Sequence, residues 1–164
     1  MDAQDYERWS APLRAHPQAT RCIVAANKVL TYLGYAVYPL LIAILLATGD
    51  SFALRALLVP AIAFVAVSLA RKAINRPRPY ETLCINPVIK KNTQGKSMPS
   101  RHAFSMAMIA LTWLYWCPPV GMVLIVATIA MAIVRVLGGV HYPSDVLVGI
   151  LVALACAIVG FWLI

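Results

Sequence analysis

Five apolar stretches divide the chain. They run roughly from Cys22 to Thr48, Phe52 to Ala70, Ala103 to Trp116, Val120 to Val134 and Ser144 to Ile164. A bilayer core needs about 20 apolar residues in helical form. Each stretch is near that length, the third only if it begins at Pro99. Lys28 and Pro39 interrupt the first and Pro60 the second; the prolines predict kinks, which neighbouring helices in a bundle tolerate. "TGDS" separates the first two stretches and "CPPVG" the third and fourth, as turn sequences. The opening "MDAQDYERWSAPLRAHPQAT" carries Asp2, Asp5 and Glu7 and no apolar core, unlike a signal peptide. Tyr6, Trp9 and Leu13 share one helical face there, which predicts an interfacial helix lying on the membrane. The pattern thus predicts an all-α integral membrane bundle in a single domain. An interfacial helix occupies residues 1–20, and five transmembrane helices fill residues 21–164. No internal repeat is visible.

Composition agrees with a lipid solvent. Hydrophobic residues make up 62% of the chain and charged residues 12%, the latter about half the share in soluble domains. The mean hydropathy is +0.79. The formal net charge is +8, but the basic residues flank apolar spans instead of lining a polar face, so nucleic acid is not the expected partner. They serve either anionic headgroups and positive-inside bias or a phosphorylated substrate. Cys22, Cys84, Cys117 and Cys156 have no metal-ligand spacing and read as small apolar residues.

The sides of the membrane can be counted. With the N-terminus on one face, the second span returns there at Arg71, the third starts there at Pro99 to His102, the fourth ends there at Arg135, and the fifth starts there at His141 to Asp145. Every internal polar cluster therefore falls on one face. The long polar segment 71–101, "RKAINRPRPYETLCINPVIKKNTQGKSMPSR", lies there too; loops of that length often carry function.

Three of these clusters can do chemistry together. They are "RKAINRPRPY", "MPSRHAF" and "RVLGGVHYPSD". Arginine at membrane depth needs a partner. Glu81 and Asp145, the only acids nearby in sequence, cannot pair Arg71, Arg76, Arg78, Arg101 and Arg135. An external anion is the natural complement, and forked guanidiniums suit phosphate. Pro99 and Ser100 are helix-start residues whose following amides can bind an anion, and His102 in that first turn could protonate a leaving oxygen. Taken alone, His102 would read as an interfacial residue and Asp145 as an N-terminal helix charge. Together, Asp145 can reach back to one nitrogen of His141, leaving the other as a nucleophilic lone pair. Gly138 and Gly139 allow the sharp turn between Arg135 and His141. A two-metal site needs several carboxylates, and this face lacks them. No phosphate-binding Gly-rich loop ending in Lys-Ser or Lys-Thr occurs. The residues point to histidine-based phosphoryl transfer with no metal or cofactor.

These residues resemble the type 2 phosphatidic acid phosphatases, the lipid phosphate phosphatases related to vanadium haloperoxidases. That family's pattern begins with Lys, six spacers and Arg-Pro; here Arg71, six spacers and Arg78-Pro79 match, with Arg for Lys. Its Pro-Ser-Gly-His is here Pro99-Ser100-Arg101-His102, with Arg for Gly. Its Ser-Arg, five spacers, His, three spacers, Asp is matched by Arg135, His141 and Asp145, with Val134 for Ser. The resemblance implies that His141 attacks phosphorus and forms a phosphohistidine, that Asp145 orients it, and that His102 protonates the leaving group. It implies that Arg71, Arg78, Ser100 and Arg135 bind the phosphate; Arg101 is a further candidate contact.

The expected function is dephosphorylation of a lipid phosphate or pyrophosphate, such as phosphatidic acid, phosphatidylglycerol phosphate or a polyprenyl pyrophosphate. The expected partners are that lipid and the membrane. A non-catalytic lipid-phosphate binder or carrier would share the anion pocket but not the turnover, and a small channel or scaffold subunit would show no vanadate-sensitive turnover. The resemblance implies a bacterial-type cell membrane with the site extracytoplasmic. The positive-inside count, with Arg8, Arg14, Arg21, Lys28, Lys72, Lys90, Lys91 and Lys96 all on the site's face, argues the opposite.

Overall fold

The computed structural model describes residues 1–163, and among them the regular elements are all helical. Helix α1 spans Ala3–Ala15, α2 Pro17–Thr48, α3 Ala53–Ile74 and the single turn α4 Pro79–Thr82. After a long loop come α5, Arg101–Trp116, α6, Pro118–Leu137, and α7, Pro143–Ala157, which continues as a π-helical segment over Ile158–Leu163. Boundary chemistry explains the punctuation. Proline stands at the first turn of α2, α6 and α7, where its missing N–H costs nothing. Gly49 and Asn75 end α2 and α3 in the left-handed conformation. Helices α2 and α3 run unbroken through Pro39 and Pro60.

Four stretches, Pro17–Thr48, Ala53–Thr82, Pro118–Leu137 and Pro143–Leu163, are long and apolar enough to cross a membrane. The third expected span differs. Helix α5 has only 16 residues, about 24 Å at the usual rise per residue. It occupies the middle of the bundle, packed on α2, α3, α6 and α7, with Phe104, Met108, Ala110 and Trp113 buried. A helix jacketed by others does not have to match the bilayer's thickness. The outer helices instead turn apolar side chains outward, including Leu46, Ile62 and Val123, as a lipid-facing surface requires.

The end remote from the polar clusters is an aromatic cap. Phe52 stacks on Tyr115 at 4.6 Å, Phe161 and Trp162 pack around them, and Trp116 donates to Asp50 at 3.0 Å. Tyrosine and tryptophan side chains prefer the membrane–water boundary.

The N-terminal helix departs from expectation. It forms over Ala3–Ala15, closed by reciprocal Asp2 and Asp5 hydrogen bonds. Of the expected face only Tyr6 is fully buried, with Ser10 beside it, while Trp9 is exposed, and the helix packs on α2 and α6. Tyr6 is fully enclosed. Its hydroxyl accepts from the Val88 amide at 3.2 Å and donates to the Leu137 carbonyl at 3.4 Å. The helix is thus joined to the polar end of the bundle and does not merely rest on a lipid surface.

Candidate active site

Each polar residue is delivered by a helix end. Arg71 lies in the last turn of α3 and Arg135 in the last turn of α6. Ser100 precedes the first residue of α5, and Asp145 lies in the first turn of α7. The long loop returns over them and is itself held by arginine. Arg71 Nη1 donates to the Pro99 carbonyl at 2.9 Å, and its Nη2 donates to Lys96. Arg78 Nε donates to Gly95 at 3.0 Å and Nη1 to Val140 at 3.2 Å. The Ser100 amide donates to the Asp145 carbonyl at 2.9 Å. All three sequence clusters therefore meet. Arg71, Arg78, Ser100, Arg135, His141 and Asp145 are buried together.

The turn before His141 depends on its glycines for different reasons. Gly139 has φ of +72°, and a Cβ there would sit 2.7 Å from the Tyr6 hydroxyl. Gly138 has an ordinary helical φ but is pressed against Ile89. Val134, where the family pattern has serine, packs with Ile89 and Val140. That hydroxyl is replaced by apolar packing.

Asp145 is more heavily used than the sequence suggests. Its Oδ2 accepts from the Tyr142 amide at 2.9 Å and from Ser97 Oγ at 2.5 Å, and its Oδ1 pairs with Arg76 at 2.8 Å. His141 Nδ1 lies 3.6 Å from Asp145, beyond hydrogen-bond length, and 3.4 Å from Ser97 Oγ. Ser97 Oγ is thus in reach of both groups, while Nδ1 stays within ion-pair distance of the carboxylate. Arg76 also lies over the Tyr142 ring, 4.3 Å from its centroid.

The other carboxylate is committed to backbone. Glu81 accepts from the amides of Arg78 and Gly95. Among the described residues, Arg71, Arg78, Arg101 and Arg135 have no carboxylate partner. Two buried polar atoms also lack a hydrogen-bond partner there: Arg135 Nε and Ser100 Oγ. Ser100 stands at the start of α5 without capping it. Native proteins seldom leave such groups unpaired.

Burial pushes the His141 imidazole down to about 4. Asp145 opposes the shift, while Arg135 and Arg78 add to it. The ring is therefore neutral near pH 7, with a lone pair available. His102 lies at the edge of the cluster, half-buried; the charges acting on it include Arg135, Lys91, His141 and Arg101. Arg101 turns away from the buried set. It is exposed, with its guanidinium 5.9 Å from the centroid of the Phe64 ring.

Three residues outside the expected set take part. Ser97 bridges His141 and Asp145. Asn27 of α2 accepts from Arg135 Nη1 at 2.9 Å. Lys91 is half-buried within the field of Arg135, Arg78, Arg71 and Arg101. Asn27 was findable as a polar residue inside an apolar span. Nothing local marks Ser97 among the other polar residues of its loop.

Residues 52–164 match the PAP2 superfamily, and the chain belongs to that family. Among solved structures, Aquifex aeolicus LpxE superposes with a TM-score of 0.76 at 22% identity, over 97% of this chain and 93% of that one. The first transmembrane PAP2-type phosphatidylglycerolphosphate phosphatase from Bacillus subtilis gives 0.69 at 22% identity, over 96% of this chain and 83% of that one. The fold is shared across nearly the whole chain. None of the curated proteins matches this sequence.

Proposed function

We propose that this protein is a membrane lipid phosphatase that works through a phosphohistidine. One observation carries the reading. Buried, carboxylate-free arginines surround two unpartnered polar atoms, Arg135 Nε and Ser100 Oγ, beside a neutral buried histidine. A phosphate's oxygens complete that arrangement, since guanidinium donors and a hydroxyl match their geometry. Membership of the PAP2 superfamily supports the same reading, and the Bacillus subtilis neighbour is by its own description a phosphatase of a phospholipid.

In this mechanism His141 Nδ1–H donates to Ser97, whose hydroxyl donates to Asp145. The relay fixes the tautomer and leaves Nε2 to attack phosphorus. Arg71, Arg78 and Arg135, not a metal, supply positive charge to the equatorial oxygens, and Ser100 donates its hydroxyl. His102, protonated once the phosphate's negative charge offsets the cations around it, protonates the departing oxygen. It then takes a proton from the water that attacks the phosphorus–nitrogen bond, which returns His141 and releases phosphate. The substrate's phosphate enters at the helix ends while its chain stays in lipid. We place this end of the bundle on the extracytoplasmic side, following the family resemblance over the charge count.

His141→Ala tests the reading directly. Purified wild-type protein is expected to release inorganic phosphate from phosphatidic acid or a polyprenyl diphosphate in micelles. The variant is expected to lose this activity by at least about 10³-fold, the scale seen when a catalytic nucleophile is removed. Binding of lipid phosphate by the wild type without release would instead identify a carrier.

A further inference from the structure

A lateral groove leaves the candidate site and descends into the membrane region. Its upper part, about 270 Å³, is lined by Arg101 and His102 together with Gly34, Phe64 and Ile109. A second hollow of about 360 Å³ shares Gly34, Phe64 and Ile109 and continues to Pro39 and Pro60. The lining descends α2 from Thr31 to Pro39 and α5 from Arg101 to Ile109, a depth of roughly 12 Å at the helical rise. Below the level of Arg101 and His102 its wall is mostly apolar and carries no charge.

Arg101 lines the upper part of this groove beside His102, one residue before the proposed proton donor and at the start of the helix whose first turn adjoins the buried arginine cluster. It is the residue that replaces glycine in the family pattern. Its guanidinium makes no ion pair among the described residues and lies over Phe64, which holds it at the groove mouth by a cation–π contact. The buried arginines already surround the scissile phosphate. A lipid lying in the groove would pass Arg101 one group further out, between that phosphate and the chain. A monophosphate ester would place a neutral ester oxygen there. A diphosphate would place a second phosphate there.

We propose that Arg101 selects lipid diphosphates by binding the phosphate nearer the chain, which departs with the lipid. This rests on the phosphatase reading and names its substrate class. In the step, the bond from His141 Nε2 to the terminal phosphorus forms, and the bond from that phosphorus to the bridging oxygen breaks. The bridging oxygen keeps the electron pair and takes the proton of His102. Arg101 stabilises the negative charge on the departing lipid monophosphate, and water then cleaves the phosphohistidine to inorganic phosphate.

The test compares geranylgeranyl diphosphate with geranylgeranyl monophosphate in detergent micelles, for wild type, Arg101→Gln and Arg101→Lys. The wild type is expected to favour the diphosphate in kcat/KM. Arg101→Gln is expected to lower the diphosphate-to-monophosphate ratio by about ten- to a hundredfold, the worth of one charge-assisted contact to phosphate. Arg101→Lys, which keeps the charge without the fork, is expected to recover part of that ratio. An unchanged ratio in Arg101→Gln, whether both activities fall together or neither falls, overturns the assignment to Arg101. Phosphate release from neither lipid by the wild type overturns the phosphatase reading instead.

Discussion

His141 and Lys91 show how a crowded cationic site sets protonation one residue at a time. Burial, reinforced by neighbouring guanidiniums, keeps His141 neutral down to about pH 4. A solvated histidine would be half protonated at about 6.5 and would lose its lone pair there. Lys91 is subject to the same forces from the other side. Burial first, then Arg135, Arg78, Arg71 and Arg101, lower its ammonium to about 8. Lys91 is thus charged below about pH 8 and neutral above it. The KM for a lipid phosphate is expected to rise about two- to fivefold as pH passes upward through 8, the scale of one partly exposed charge contact. Phosphate itself is already dianionic in that range, so the change belongs to the protein. Lys91→Arg, which stays protonated, is expected to hold KM flat to pH 9; a wild-type KM that does not move removes Lys91 from the anion's surroundings.

At the scale of the element, α1 acts as a strut behind the turn that carries His141. Tyr6 meets the loop at Val88, the end of α6 at Leu137 and the face of Gly139. Tyr6→Phe keeps the ring but leaves the buried Val88 amide without its acceptor. Such a loss costs about 1–3 kcal/mol, and a lowered Tm in detergent is expected. An unchanged Tm would show that the hydroxyl contributes no net stability. The helix itself was legible in the sequence, since Asp2 and Asp5 form a capping pair and the apolar positions are spaced helically. Its buried face was not. Periodicity puts Tyr6, Trp9 and Leu13 on one face, and only the partner elements, α2 and α6, decide that Tyr6 and Ser10 are covered while Trp9 is not. Helix α5 carries the same lesson. Its composition reads as a membrane span, but its position at the centre of the bundle excuses it from spanning length.

For the whole molecule, the two ends of the bundle are chemically distinct, and each carries a cysteine that reports its side of the membrane. The aromatic cap of Phe52, Tyr115, Phe161 and Trp162 marks the far end of the bundle, and Cys117 lies near it. Cys84 is exposed in the long loop at the site's end. In cells expressing a variant with Cys84 as its only cysteine, an impermeant thiol reagent is expected to label the protein without lysis. A variant retaining only Cys117 is expected to stay unlabelled until the membrane is opened. The reverse pattern would put the site in the cytoplasm and vindicate the positive-inside count.

The linear chain by itself determined the solvent, the class and the chemical inventory. Apolar runs of bilayer length dictate helices in lipid, and alternating spans oblige the three polar clusters to share one face. The spacing of Arg71, Arg78, Ser100, Arg135, His141 and Asp145 then names the residues that can meet there. Only tertiary structure decided how they meet. Ser97 between His141 and Asp145, Arg76 on the same carboxylate, Asn27 on Arg135 and the outward turn of Arg101 all depend on packing between elements distant in sequence. Hydrophobic periodicity reports which side of a helix faces lipid or protein. It carries no information about which loop atom arrives opposite a given nitrogen, because loop conformation follows from the long-range contacts that hold the helix ends together.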